Sequence, residues 1–224
     1  MVMTQRQQDA FAELVAAASG GLDTHGYPLR PDTSADRVSA VLVLFGAVDD
    51  THVGSSRGLA PSDLDVVLEV RASALRAHPG EVAFPGGRRD PEDVDLVATA
   101  LREAREEIAL DSDAVDIAAT LQDLPLAASA NRVTPVLAWR TRDVTLVAVD
   151  QAETASVHRV PVRRLLDPAT RFTTVLRRPV GEFRGPGWQI DDLFIWGFTA
   201  LILNGLFDAA GWTIPWDVDN AVQL

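Results

Sequence analysis

The sequence has no cysteine, which excludes disulfide bridges and cysteine-ligated zinc and makes the cytoplasm the expected compartment. Its opening stretch, Met1 to Ala10, carries Gln and Asp and lacks the basic-then-apolar layout of a signal peptide. Long hydrophobic runs are missing too. The most apolar segment, Leu193 to Phe207, falls short of the roughly 18 residues that a membrane span needs and includes Thr199 and Asn204, so a buried helix is expected there and no membrane partner. Cations are in deficit: 20 Lys and Arg stand against 32 Asp and Glu, a net charge of −12. Duplex nucleic acid demands many cations on one face, so a nucleic-acid partner is not expected. A small anion held by a few arginines and a divalent cation is compatible with the same balance. Neither a Pro/Gly/Ser linker nor an internal repeat divides the chain. One elaborated domain over 37–210 is expected, after an N-terminal helix and connecting loop (1–36) and before a tail (211–224); a homodimer is compatible with these features but not written in them.

What is present is a chain that is 47% hydrophobic, with short β-branched runs set among turn residues. Residues 5–18 have helical composition and stop at Gly20-Gly21. Strands are expected at 38–45, 64–70, 81–84, 115–121, 133–140, 144–149 and 157–161, with a short helix near 162–166. The order is strands, one central helix, more strands and a late apolar helix. It lacks the regular alternation of a doubly wound parallel sheet and predicts an α/β arrangement with a mixed sheet and helices on both faces.

The central helix ends in "REAREE" (Arg102 to Glu107). At ~100° per residue, Val97, Leu101, Ala104 and Ile108 form a stripe that must pack on the sheet, with Glu103, Glu106 and Glu107 converging on roughly the opposite side. Three carboxylates within one turn repel one another. At a helix C-terminus the macrodipole disfavours each by a further ~0.3–1 kcal/mol. A solvated charged face is the ordinary explanation of an acidic helix, but a bound divalent cation would remove the conflict. All-oxygen ligands favour Mg²⁺ or Mn²⁺, and such an ion can neutralise a phosphate and present an activated water to phosphorus.

These residues resemble the Nudix hydrolase family, whose box reads G-x5-E-x7-R-E-U-x-E-E-x-G-U, with U aliphatic. "REAREEIAL" matches the second half except for Ala109 in place of Gly, and Gly87 opens the first half one residue farther from Arg102 than the general box prescribes. That spacing is similar to the branch that hydrolyses coenzyme A. "RASALRAHPGEVAFPGG" (Arg71 to Gly87) looks like the extra signature of that branch, L-L-T-x-R-S-x-x-L-R-x-H-x-G-x-V-x-F-P-G-G, with Glu69 and Ala72 departing from its Thr and Ser.

The resemblance implies a Nudix-type α/β/α sandwich that splits a diphosphate bond with Mg²⁺ or Mn²⁺. The implied substrate is coenzyme A or its thioesters, giving 4′-phosphopantetheine or its acyl form and adenosine 3′,5′-bisphosphate. Other nucleoside diphosphate derivatives, and a non-catalytic ligand sensor on the same fold, stay open. By resemblance Glu103, Glu106, Glu107 and the Gly86 carbonyl are metal ligands, and Glu106 or Glu153 is the general base. Arg102 pairs Glu106 at i, i+4 and holds its carboxylate, while Arg71, Arg76, His78 and Gly87 meet the substrate. Trp196 and Phe198 read as core residues.

Overall fold

The computed structural model describes residues 9–23, 37–49, 57–75, 78–126, 131–178 and 181–224. The start of the expected first helix, most of the loop after it, and Arg76 lie outside them. Strand β1 (Arg37–Ala47) divides the core by its own alternation. Val43 and Phe45 face one hydrophobic cluster, Leu42 and Leu44 the other, as a two-residue period requires. Helix α1 (Ala10–Ala18) packs on the first face, where Phe11 meets Phe45 and Trp139 at ring-centroid distances of 5.9 and 5.1 Å. Helix α4 (Gly197–Ala209) joins it there. Helix α2 (Leu96–Ile108) covers the second face through Ala100, Ala104 and Ile108. Helices on both faces of a mixed sheet make the expected α/β/α sandwich.

The sheet opens where the glycines enter it. β1 runs antiparallel to β2 (Leu64–Arg71) only through Phe45 to Ala47, and nearer its start through Ser39 to Val41 to β4 (Gly86–Arg88). The two strands part in between, and β3 (Val82–Ala83) fills the opening by pairing with the far end of β2, Glu69 opposite Ala83. On its other edge β1 runs parallel to β7 (Asn131–Arg140), which also pairs antiparallel with β5 (Val115–Thr120) and β6 (Leu124–Leu126). β8 (Thr154–Pro161) closes the outer edge of β2 and leads into α3 (Val162–Leu165). A second, four-stranded sheet orders β11 (Leu193–Ile195), β10 (Gly181–Ile190), β9 (Arg171–Arg178) and β12 (Ala221–Gln223).

Several expectations need correction. Gly86-Gly87, just past the strand expected at 81–84, opens a further sheet strand, β4. Residues 144–149 alternate inward and outward like a strand but join no ladder. The N–H groups of Val147 and Val149 instead donate to the carbonyls of Ile108 and Glu107 at 3.2 and 3.1 Å, so this segment satisfies the last turn of α2. The late apolar run is strand for Leu193–Ile195, and the helix starts only at Gly197. No element was expected across 171–190, where Pro186 and four arginines obscure a hairpin. Ala109, where the box has Gly, takes the left-handed conformation (φ 57°) that glycine adopts without strain. No helix among the described residues is long and apolar enough to cross a membrane.

Candidate active site

On β2, Val67 packs against the α2 face, so Glu69 and Arg71, two and four positions on, project to the same side. They meet the C-terminal half of α2. Arg71 Nη1 lies 3.7 Å from Glu69 Oε1 and 3.8 Å from Glu107 Oε1. From the β4 side the Gly86 N–H donates to Glu107 Oε2 at 2.8 Å. Glu103 is seated over Gly87 so closely that a Cβ there would stand 2.5 Å from its carboxyl carbon. Of the helix trio, Glu103 and Glu107 are therefore turned toward the sheet, 17% and 10% exposed, whereas Glu106 is 58% exposed and points outward. The expectation that all three share a surface opposite the packed stripe is corrected: two of them border that stripe.

Arg102 explains how Glu103 and Glu106 are held. Its guanidinium bonds both oxygens of Asp93 at 3.1 and 3.0 Å, the Arg88 carbonyl at 2.9 Å, Glu103 at 3.0 Å and Glu106 at 3.1 Å. The pairing with Glu106 matches the i, i+4 spacing. Asp93, from the acidic loop before the helix, went unremarked in the sequence, though it fixes the arginine's fork. The hydrogen bonds from Arg102 hold the Asp93 carboxyl well below the usual carboxylate range.

The carboxylates facing the sheet are held differently. Burial, followed by the charge of Glu69, pushes Glu107 up to about 8 despite the Gly86 N–H. Burial also pushes Glu69 up to about 7, against Arg71 and Thr154, with Glu103 and Glu153 adding to the rise. Burial raises Glu103 as well, with Arg102 opposing. Among the described residues no three His, Asp or Glu side chains already form a cage around one point. The donor set nevertheless fits a hard divalent ion in kind. Its ligands are all oxygen, and the buried Glu69 Oε1 has no hydrogen-bond partner. Gly86 is seen engaged with Glu107 through its N–H; Glu106 is engaged by Arg102.

Beside these acids opens a cleft of about 320 Å³ whose wall includes Arg71, His78, Glu81, Phe84, Gly86 and Gly87, with Asn131 and Val133 from β7. His78, at φ 56°, bonds Glu81 through Nδ1 at 2.8 Å. Trp196 and Phe198 line this cleft and are only partly buried; Phe198 also packs against the core as expected, whereas Trp196 does not join it. Glu153 sits exposed in the turn before β8, its carbonyl accepting from the Ala72 N–H at 2.8 Å. Glu69 is the site residue that sequence reasoning missed. Its signal was a charge inside the apolar run "LDVVLEV", in step with Val67. A larger cleft of about 580 Å³ around Arg171 shares no lining residue with this one. Arg171 is stacked between Trp188 and Trp216 there, 4.9 and 4.6 Å from the ring centroids, and anchors the C-terminal segment.

The two glycines separate stability from activity. A Cβ at Gly86 would come within 2.6 Å of the Val41 backbone, which cannot yield, so Gly86→Ala should cost about 1–3 kcal/mol or more in a urea melt. At Gly87 the obstacle is the end of a flexible side chain. Gly87→Ala should fold nearly as well but displace Glu103, lowering kcat by up to about a hundredfold. Equal melting curves for Gly86→Ala and wild type would contradict the close packing.

Comparison with known proteins agrees with this geometry. The NUDIX domain profile matches residues 58–180. The Nudix hydrolase NudL of Yersinia pestis is 34% identical over 141 residues, 63% of this chain and 70% of that protein, and NudL of Yersinia pseudotuberculosis matches equally. Among solved structures, the M. smegmatis Nudix hydrolase RenU superposes with a TM-score of 0.50 at 18% identity, over 80% of this chain and 88% of that one, a likeness of fold. A profile spanning more than half the chain, and a relative of this identity covered over most of its length, place the chain in the Nudix hydrolase family.

Proposed function

We propose that this Nudix hydrolase splits the diphosphate of coenzyme A or an acyl-coenzyme A, releasing 4′-phosphopantetheine or its acyl form and adenosine 3′,5′-bisphosphate. The observation that carries the reading is the place of the Arg71–Gly87 segment. The stretch that resembles the coenzyme A signature forms a wall of the cleft beside Glu103 and Glu107. Nudix hydrolases generally need a divalent cation such as Mg²⁺ or Mn²⁺. In this reading Glu103, Glu107 and the Gly86 carbonyl would hold it, with Glu106 kept by Arg102, and it would neutralise the diphosphate and lower the pKa of the attacking water.

The chain's own groups then divide the work. Glu153 takes the proton from the water that attacks phosphorus, since Glu106 is bound to Arg102. The anhydride P–O bond breaks as the new P–O bond forms. Arg102 keeps the helix carboxylates in place. Arg71 stands between Glu69 and Glu107. Once those acids are neutralised by an ion, its guanidinium is available to a substrate phosphate. Trp196 and Phe198 offer the cleft's apolar and aromatic surface to the remainder of the substrate.

The 3′-phosphate distinguishes coenzyme A from dephospho-coenzyme A, ADP-ribose and NADH. Charge-assisted bonds to it are worth ~1.5–3 kcal/mol, so kcat/KM for coenzyme A should exceed that for dephospho-coenzyme A by roughly ten- to a hundredfold. Arg71→Ala or Arg76→Ala should remove most of that gap. Comparable hydrolysis of all four compounds would replace this reading with a general nucleoside diphosphate hydrolase.

A further inference from the structure

Strand β2 carries two buried carboxylates on one face, and they are treated in opposite ways. Asp65 is 2% exposed and lies 2.8 Å from Arg159 and 3.3 Å from Arg140, so two guanidinium groups neutralise it. Glu69 is fully buried, yet its one hydrogen bond comes from Thr154 Oγ1 to Oε2 at 3.2 Å. Its Oε1 has no hydrogen-bond partner. The cation beside that oxygen, Arg71 at 3.7 Å, is shared with Glu107 at 3.8 Å. Glu103 adjoins on the helix but has Arg102 at 3.0 Å, so two buried acids, Glu69 and Glu107, are left to share one arginine. Uncompensated charge in the interior is strongly unfavourable unless something neutralises it.

We infer that Glu69 is a ligand of the divalent cation, a carboxylate contributed from the sheet through Oε1 to the set supplied by α2. The inference rests on the metal-site reading above and adds one residue to it. Arg71 Nη1 already stands between Glu69 Oε1 and Glu107 Oε1. A cation held by both carboxylates would supply the positive charge that this one guanidinium now divides between them. Thr154 fixes Oε2, which leaves Oε1 directed at the helix carboxylates. Full burial also suits a ligand better than a base, because a base must exchange its proton with solvent whereas a ligand has only to face the ion. This chain thus places a further acid where the coenzyme A signature has Thr.

The test is calorimetric titration of Mn²⁺ into the metal-free full-length protein, for wild type, Glu69→Gln, Glu69→Thr and Glu107→Gln, with melting temperatures in EDTA and in Mn²⁺. Both Glu69 variants should bind Mn²⁺ ~10-fold or more weakly, the loss expected of one charged ligand. Both should melt at or above the wild-type temperature in EDTA, and both should gain less from Mn²⁺. Glu69→Thr, which installs the signature's residue, keeps the test valid if the glutamine variant folds poorly. Glu69 variants that bind Mn²⁺ within about twofold of wild type, while Glu107→Gln is impaired, would overturn this inference and leave the helix site standing. Wild type that takes up no Mn²⁺, or Glu107→Gln that binds as tightly as wild type, would remove the metal site itself and Glu69 with it.

Discussion

Glu107→Gln should lower turnover by about a hundredfold or more while leaving the metal-free protein at least as stable as wild type. The side chain keeps its shape, so the contact with the Gly86 N–H survives through the amide oxygen. What is lost is an acid that, once ionised, adds a negative charge among carboxylates that repel each other. Burial and the neighbouring Glu69 hold Glu107 up to about 8, from an ordinary 4.5. Across that window the folded state retains a proton that the unfolded chain has released, so stability is present below the unfolded value and falls as pH rises toward 8. At about 1.4 kcal/mol per unit, and allowing that Glu107 and Glu69 titrate as a coupled pair, the loss is on the order of a few kcal/mol. In EDTA the wild-type melting temperature should drop by roughly 5–10 °C between pH 5 and pH 8.5. The variant's profile should be flatter. Burial pushes His158 down, which acts the other way below pH 6.5, but it is common to both proteins and cancels in their difference. Full activity in Glu107→Gln, or lower stability without metal, would contradict the assignment.

Much of the site's location could be read in the sequence because strong local patterns specify it. The runs at β1, β2 and β7 are β-branched and bounded by turn residues, and the structure places all three as strands. The helix with "REAREE" was legible from its apolar spacing, and the placement of carboxylates at its unfavourable end singled it out. What could not be read is which way each acid turns. Glu103 and Glu107 lie inward because β4 offers them two side chains' worth of empty space at Gly86 and Gly87. That depends on β1 and β2 parting, a feature of register, not of local composition.

The same limit hid Glu69 and the true setting of Arg71. In the sequence, Glu69 was a departure from a signature, and Arg71 was a phosphate ligand by resemblance. Only the pairing of β2 with β3 and β8 brings them against Glu107. Residues 144–149 show the converse error. Their alternation is real, but the hydrogen-bond partners are the open carbonyls of a helix end, which no strand pattern reveals. The cleft role of Trp196 and Phe198 was hidden because an apolar residue beside a cleft and one inside a core have the same sequence signature, and Phe198 is both.

Glu153→Gln is expected to reduce kcat by roughly 10²–10⁴, the usual contribution of a general base, with Mn²⁺ affinity changed no more than a few-fold. The geometry supports Glu153 over Glu106. Glu106 is bonded to Arg102 at 3.1 Å, and stripping a proton from water would first require breaking that ion pair. Glu153 lies exposed in a turn, near enough for its charge to act on Glu69. The turn itself is anchored. Its carbonyl receives the Ala72 N–H, and the following residue, Thr154, bonds Glu69 and pairs with Arg71 past a shift in the β2–β8 register. A side chain mounted there can reach the acids without being consumed by them, and its carboxylate stays in water, where it can discharge the proton it takes. Single-turnover rates beside Mn²⁺ calorimetry separate the alternatives. A mild loss of rate would return the base to Glu106, whereas a large loss of Mn²⁺ affinity would make Glu153 a ligand.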